Sequence, residues 1–247
     1  ATFAEVPGYW EDALAHLDGR DGSGRVLVLP GTTKTTYRWG EPGDDIFDTS
    51  LRRHPNVIAN AFPLSGPEAA DLVDALEARI AEGTLGPGEL APVLHALGVD
   101  RVVIRNDLDW EASQVARPAE LDLVRDDEAL RLDRTFGEPG ASVTDESDTS
   151  FTANRERNLP PVEVYVVEGA PDTEVPPGLA RADVAPLVLS GDGGGWLLAA
   201  QEGLLDDGRP VVYSGDQSPT ELARALESGS PLVVTDTNRR QATRIRG

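Results

Sequence analysis

The sequence predicts an α/β protein: two Rossmann-like three-layer modules with mainly parallel sheets. Three observations carry this. Strand-sized apolar runs alternate with stretches of helical period, the pattern of a βα-alternating fold. The last third repeats itself, with a strand ending in Ser-Gly-Asp at 190–192 and again at 214–216, each followed by a helix. The chain has 247 residues, 39% of them apolar, enough to bury a sizeable core.

The elements follow in chain order. GYWEDALAHLD (8–18) predicts a helix, with Trp10, Leu14 and Leu17 on one face. Val26–Leu29 predicts the first strand, a buried one. Residues 31–57 are rich in Thr, Asp and Gly and predict a long loop, the kind that is functional or mobile. GPEAADLVDALEARIAEG (66–83) predicts a helix with Pro67 at its start, Gly83 at its end and a stripe of Leu72, Leu76 and Ile80. A second helix is expected over 87–99, closed by Gly98, then a strand over 100–107. Residues 117–132 read as a helix with a break. Residues 137–160 are polar, acidic and without period, and predict a flexible linker or loop. VEVYVVEG (162–169) predicts a strand with no evident partner. The repeat then gives strand, helix, strand, helix, strand, with parallel neighbours and right-handed crossovers. The domain division expected is a first α/β module over 1–136, the linker over 137–160, and a smaller βαβαβ module over 161–247.

Composition excludes several classes. Formal net charge is −21, which disfavours nucleic acid and anionic lipid. Arg239, Arg240, Arg244 and Arg246 make a local basic exception, read as a solvated end or linker. No apolar run approaches the length of a membrane span, and no signal peptide opens the chain. Cysteine is absent, so disulfides and thiolate chemistry are excluded. The absence of Met and the abrupt start point to an excised piece of a longer chain. Lys34 is the one lysine.

Four features bear on chemistry. First, Lys34-Thr35 follows a strand and a Pro-Gly pair, as in a phosphate-binding loop. That loop requires two glycines to wrap the phosphates. Here Val28 and Thr33 stand in their places, and no helix follows, so the motif is rejected. Second, SGDGGG (190–195) joins a strand to a helix N-terminus, a plausible anion site around Asp192 and Gly193. It resembles the strand-GGDGT-helix turn of NAD and diacylglycerol kinases, with Ser190 and Gly194 departing from that pattern. The alternative is a tight turn with Asp192 capping the helix. Third, RNDLDW sets Asp107 and Asp109 just past a strand, where α/β proteins hold ligands. The pair suits acid/base work or a cation, or it is an Asp-rich turn with Asn106 satisfying the backbone. Fourth, Tyr37 and Trp39 in the long loop suit stacking on a sugar face, or they cover the strand ends. His16, His54 and His95 are scattered, and no metal site is expected.

Several segments together resemble one family: VPGYWEDALAHL, RVLVLPGTTKTTYRWG, NVIANAFPLS, LGVDRVVIRNDLDW and SPLVVTDTNRR. They resemble the non-membrane region of actinobacterial α-(1→3)-arabinofuranosyltransferases, GT-C membrane enzymes of cell-wall arabinan synthesis. The resemblance implies a parent using decaprenyl-phosphoryl arabinose, with this region on the extracytoplasmic (periplasmic) side, packed on its own transmembrane core. It implies that the catalytic carboxylate lies in the membrane core and that this segment has no catalytic residue and no cofactor. The expected role is a scaffold or acceptor-glycan-handling module, possible contacts being cell-wall polysaccharide. The competing readings are a nucleotide-binding, kinase-like protein using the 190–195 turn, and a protein-interaction module of an envelope complex.

Overall fold

Apolarity on both faces makes the first strand central. In a computed structural model of the chain, β1 (Arg25–Leu29) buries Val26 and Val28 toward one layer and Leu27 and Leu29 toward the other. The structure describes residues 5–21, 24–32, 34–42, 45–58, 67–145, 147–169, 184–205 and 208–235. The basic residues Arg239, Arg240, Arg244 and Arg246 lie outside them.

Helix α1 (Gly8–Asp18) buries Trp10, Ala13 and Leu17. After β1 come α2 (Ile46–Ser50), capped by Asp45, and the short β2 (Asn56–Val57). Helix α3 (Pro67–Ala81) buries Leu72, Leu76 and Ile80 as its stripe predicts. Helix α4 (Leu90–Leu97) ends at Gly98, whose φ of 67° is the left-handed cap that glycine adopts most readily. It leads directly into β3 (Val99–Arg105).

The 117–132 segment departs from its predicted helix. It forms a 3₁₀ turn (Pro118–Leu121), a single turn α6 (Asp122–Arg125) preceded by the equally short α5 (Trp110–Ser113), and then β4 (Leu130–Phe136). Strand β4 buries only its two ends and exposes Arg131 to Thr135. Its edge position explains the misreading: a charged edge strand has little apolar alternation to reveal it. The segment 137–160, expected as a flexible linker, holds α7 (Phe151–Glu156), capped by Ser150, and buries Val143, Ala153 and Glu156. It carries the chain from β4 to β5 (Val162–Val167).

The sheet order is β2-β1-β3-β5-β4. The β2-β1-β3 part is parallel, but β5 runs antiparallel to both β3 and β4. This first sheet is therefore mixed, not mainly parallel, and Val162–Val167 pairs within it and not within the C-terminal repeat. An antiparallel neighbour needs no crossover helix, so an irregular connection such as 137–161 suffices.

The repeat forms as read: β6 (Leu187–Ser190), α8 (Gly194–Gln201), β7 (Val211–Tyr213), a 3₁₀ turn (Ser214–Asp216), α9 (Pro219–Glu227) and β8 (Leu232–Val234). Its sheet is parallel, in the order β7-β6-β8. Among the described residues the strands form one five-stranded mixed sheet and one three-stranded parallel sheet, which does not confirm two Rossmann-like modules. The two sheets share a core, because Leu187, Leu197 and Ala200 pack in the same cluster as Leu72, Leu76 and Leu94. The opposite face of the large sheet packs Trp10, Leu17 and Phe47 over Val28, Val103 and Val164.

Candidate functional site

The C-terminal ends of parallel strands β1 and β3 lie side by side, the edge where open α/β sheets hold ligands. Past β1 the chain continues through Pro30 and Gly31 into the Thr-rich loop. Past β3 it continues through Asn106 to Asp109. Tyr37 bridges to Leu108, and Arg38 N donates to Asp107 O, so the two loops are laced together.

Asp107 sits at the centre, fully buried. Its Oδ2 accepts from Tyr9 Oη at 2.8 Å, Trp10 Nε1 at 2.8 Å and Trp39 Nε1 at 2.7 Å. Its Oδ1 has no hydrogen-bond partner. Burial pushes the Asp107 carboxyl up to about 6, against the opposing pull of its three donors and of Arg105. Burial also pushes the Tyr9 and Tyr37 hydroxyls well above the usual tyrosine range.

Arg105 is buried beside it. Its guanidinium donates to Pro30 O through Nε (2.9 Å) and Nη2 (2.8 Å), and to Asp45 Oδ2 at 2.6 Å. Burial alone would lower its pKa, but Asp45 and Tyr37 outweigh that and raise it above the ordinary arginine value. Gly31 N donates to Glu77 Oε1 on α3 at 2.6 Å, and desolvation pushes Glu77 up to about 7. Asn106 donates to Pro160 O and Glu163 Oε2 and accepts from Arg125.

The structure thus separates the sequence candidates. Asp107 and Asp109 take different partners: Asp107 is held in the core, and Asp109 caps α5, accepting from Ala112 N at 3.1 Å. Tyr37 is core, 2% exposed, stacked on Trp39 with ring centroids 4.6 Å apart. Trp39 is half-buried with its indole N–H spent on Asp107.

Asp192 and Gly193 lie elsewhere, at the N-terminus of α8. Gly193 N donates to Asp71 Oδ2 at 2.6 Å, and Gly194 N to Asp192 Oδ1 at 3.2 Å. Two carboxylates therefore hold the amides a phosphate would need. A Cβ on Gly193 would stand 2.2 Å from Asp71 O, so this glycine serves the close approach of the turn to α3. That arrangement gives the kinase-like reading no support of its own. Among the described residues, no group of three or more His, Asp or Glu could hold a metal ion.

Sequence reasoning missed Tyr9, Arg105, Asp45 and Glu77 as parts of this site. The quoted VPGYW and RND runs contain two of them, but no spacing signals that they meet.

The comparisons agree with the resemblance. Residues 1–246 match the family model described as alpha-(1->3)-arabinofuranosyltransferase, N-terminal GT-C domain. The alpha-(1->3)-arabinofuranosyltransferases of Mycolicibacterium smegmatis and Mycobacterium tuberculosis are each 32% identical, over 244 and 247 residues. Each alignment covers 96% of this chain and 17% of the relative, so the chain spans about a sixth of their length. A cryo-EM structure of arabinofuranosyltransferase AftD from mycobacteria superposes with a TM-score of 0.68 at 26% identity, over 94% of this chain and 17% of that one. Its R1389S mutant, class 2, gives 0.67. Among the described residues no helix is long and apolar enough to cross a membrane. The chain belongs to the α-(1→3)-arabinofuranosyltransferase family.

Proposed function

We propose that this chain is a non-catalytic module of a membrane-embedded arabinofuranosyltransferase, holding structure and handling acceptor glycan while the parent's membrane core performs transfer. The parent donor would be decaprenyl-phosphoryl arabinose, the acceptor cell-wall arabinan, and the module's place the extracytoplasmic side. One observation carries the reading. The carboxylate at the C-terminal end of β3, Asp107, is fully buried, with Oδ2 accepting from three donors of the chain's own core. A general acid or base must reach the proton it moves. Trp39, half-buried at the rim of this cluster, is the aromatic surface best suited to a sugar ring.

The test is titration of the 247-residue chain with arabinan and galactan fragments by NMR. Weak binding, of about millimolar Kd, with shifts centred on Trp39 is expected, together with no arabinosyl transfer. Transfer activity by the chain alone, or saturable nucleotide binding, would refute the reading.

A further inference from the structure

His54 has no part in the cluster around Asp107, yet it is 4% exposed and no protein group bonds either ring nitrogen. Buried polar side chains are nearly always bonded, so this one calls for a reason. It sits in a strap, residues 51–57, that leads from α2 through β2 to the outer edge of the large sheet.

The strap is held by few contacts. Arg52 N and Arg53 N donate to the Asp18 carboxylate, the last residue of α1, at 3.3 and 3.0 Å. Val26 N of β1 donates to Pro55 O at 2.9 Å, and only Asn56 and Val57 pair with β1. Strand β2 is outermost, so among the described residues the strap is what covers the β1 edge.

The ring lies beside a charged clamp. Arg20, in the turn after α1, donates to the Asp100 carboxylate of β3 and to Gly24 O, and its Nε has no partner. Arg101 stands 3.9 Å from Asp100 Oδ2, so two guanidiniums already share that carboxylate. On the strap itself Arg52 and Arg53 precede the ring and add positive charge. Burial and the Arg20 charge oppose a second ring proton, while Asp100 and the backbone of Arg20 and Gly24 favour one. The first two prevail and hold the imidazole below the usual histidine range.

We propose that strap 51–57 is an acid-released latch: a proton taken up by His54, buried beside the Arg20–Asp100 clamp with no bonded acceptor, drives the ring out and unpairs β2 from β1. The sign follows from linkage. A ring that resists protonation in the closed strap binds the proton more readily once released. Closure is therefore complete above the ordinary histidine value of 6.5 and weakens as pH falls below it. Release bares the N–H and C=O groups of the β1 edge, on which another strand can pair.

The experiment measures hydrogen-exchange protection of Val26 N–H in the 247-residue chain by NMR between about pH 7.5 and about pH 5, with Val164 of β5 as reference. One proton coupled to opening predicts about a tenfold loss of Val26 protection per pH unit below about 6.5, until the ring titrates in the closed strap, with Val164 unchanged. His54→Gln and His54→Leu keep Asp18, Arg20 and Asp100, and in both the Val26 protection should stay constant over that range. Val26 protection that is flat with pH in the wild type would overturn the proposal. So would an equal loss in the His54 variants, which would assign it to the carboxylates. A loss shared by Val164 would overturn it as well, since the whole sheet would then be opening.

Discussion

Asp107 gives the sharpest quantitative test, because two large effects oppose each other there. Its Oδ2 satisfies three donors, of which Trp10 Nε1 is fully buried. Burial nevertheless pushes its carboxyl up to about 6 from the ordinary aspartate value of 3.8. A carboxyl raised on folding contributes stability that is fully present below its unfolded pKa and is lost as pH rises through its folded pKa. Asp107→Asn keeps an acceptor for the three donors and removes the titration. The stability of Asp107→Asn relative to wild type should therefore rise by about 2 kcal/mol between about pH 4.5 and about pH 7.5, on the linkage relation. Asp107→Ala removes the acceptor and leaves the donors stranded, which costs about 2–5 kcal/mol. Urea denaturation of the three proteins across that pH range is the assay, since other carboxylates cancel in the differences. A wild-type to Asn difference that is flat with pH, or that falls as pH rises, would refute the burial argument. An Ala variant as stable as Asn would refute the role of the three donors.

Three further outcomes follow from the same structure. Arg105→Leu removes the ion partner of the buried Asp45 carboxylate and leaves Pro30 O without its guanidinium donors, and should lower stability by about 3–5 kcal/mol in urea denaturation, whereas Arg105→Leu with Asp45→Asn, which keeps the α2 cap, should recover part of that loss. Gly193→Ala should lower the thermal midpoint, at a cost of about 1–3 kcal/mol, because its Cβ meets backbone at Asp71, while ATP with Mg²⁺ should leave the wild-type midpoint where it is. Glu156→Ala removes a fully buried carboxylate that accepts from Arg117 Nε at 2.7 Å, Arg117 Nη2 at 2.9 Å and Ala119 N at 3.1 Å, and limited proteolysis should then cut within 137–160 much faster than in wild type.

What was legible in the sequence was what local pattern encodes. The apolar stretch of β1, the stripe Leu72, Leu76 and Ile80, the Gly98 stop and the C-terminal repeat each carry their own signal, and each forms as read. Strand β4 was not legible, because an exposed edge is written in Arg, Asp and Thr instead of alternating apolar residues. The 137–160 segment was misread for a related reason. Its order rests on a polar contact, Arg117 with Glu156, made across 39 positions, and composition alone reads such a stretch as loop. The site divides the same way. Asp107 is visible as a carboxylate past a strand, but its donors come from 68 to 98 residues away. The Arg105 and Asp45 pair spans 60 positions, and no periodicity reports it.

The two places where an α/β protein ordinarily receives a ligand are both filled by the chain itself. At the ends of β1 and β3, indole and phenol groups of α1 and the Thr-rich loop take the carboxylate. At the N-terminus of α8, Asp71 of α3 takes the amide of Gly193. In each case the acceptor and donor belong to different elements, so the contact fixes one element on another: α1 onto the large sheet, and the small sheet onto α3. Those contacts add to the apolar packing that joins the same elements. Polar groups that would recognise a small molecule are instead spent on holding these joints, which supports a structural role for them.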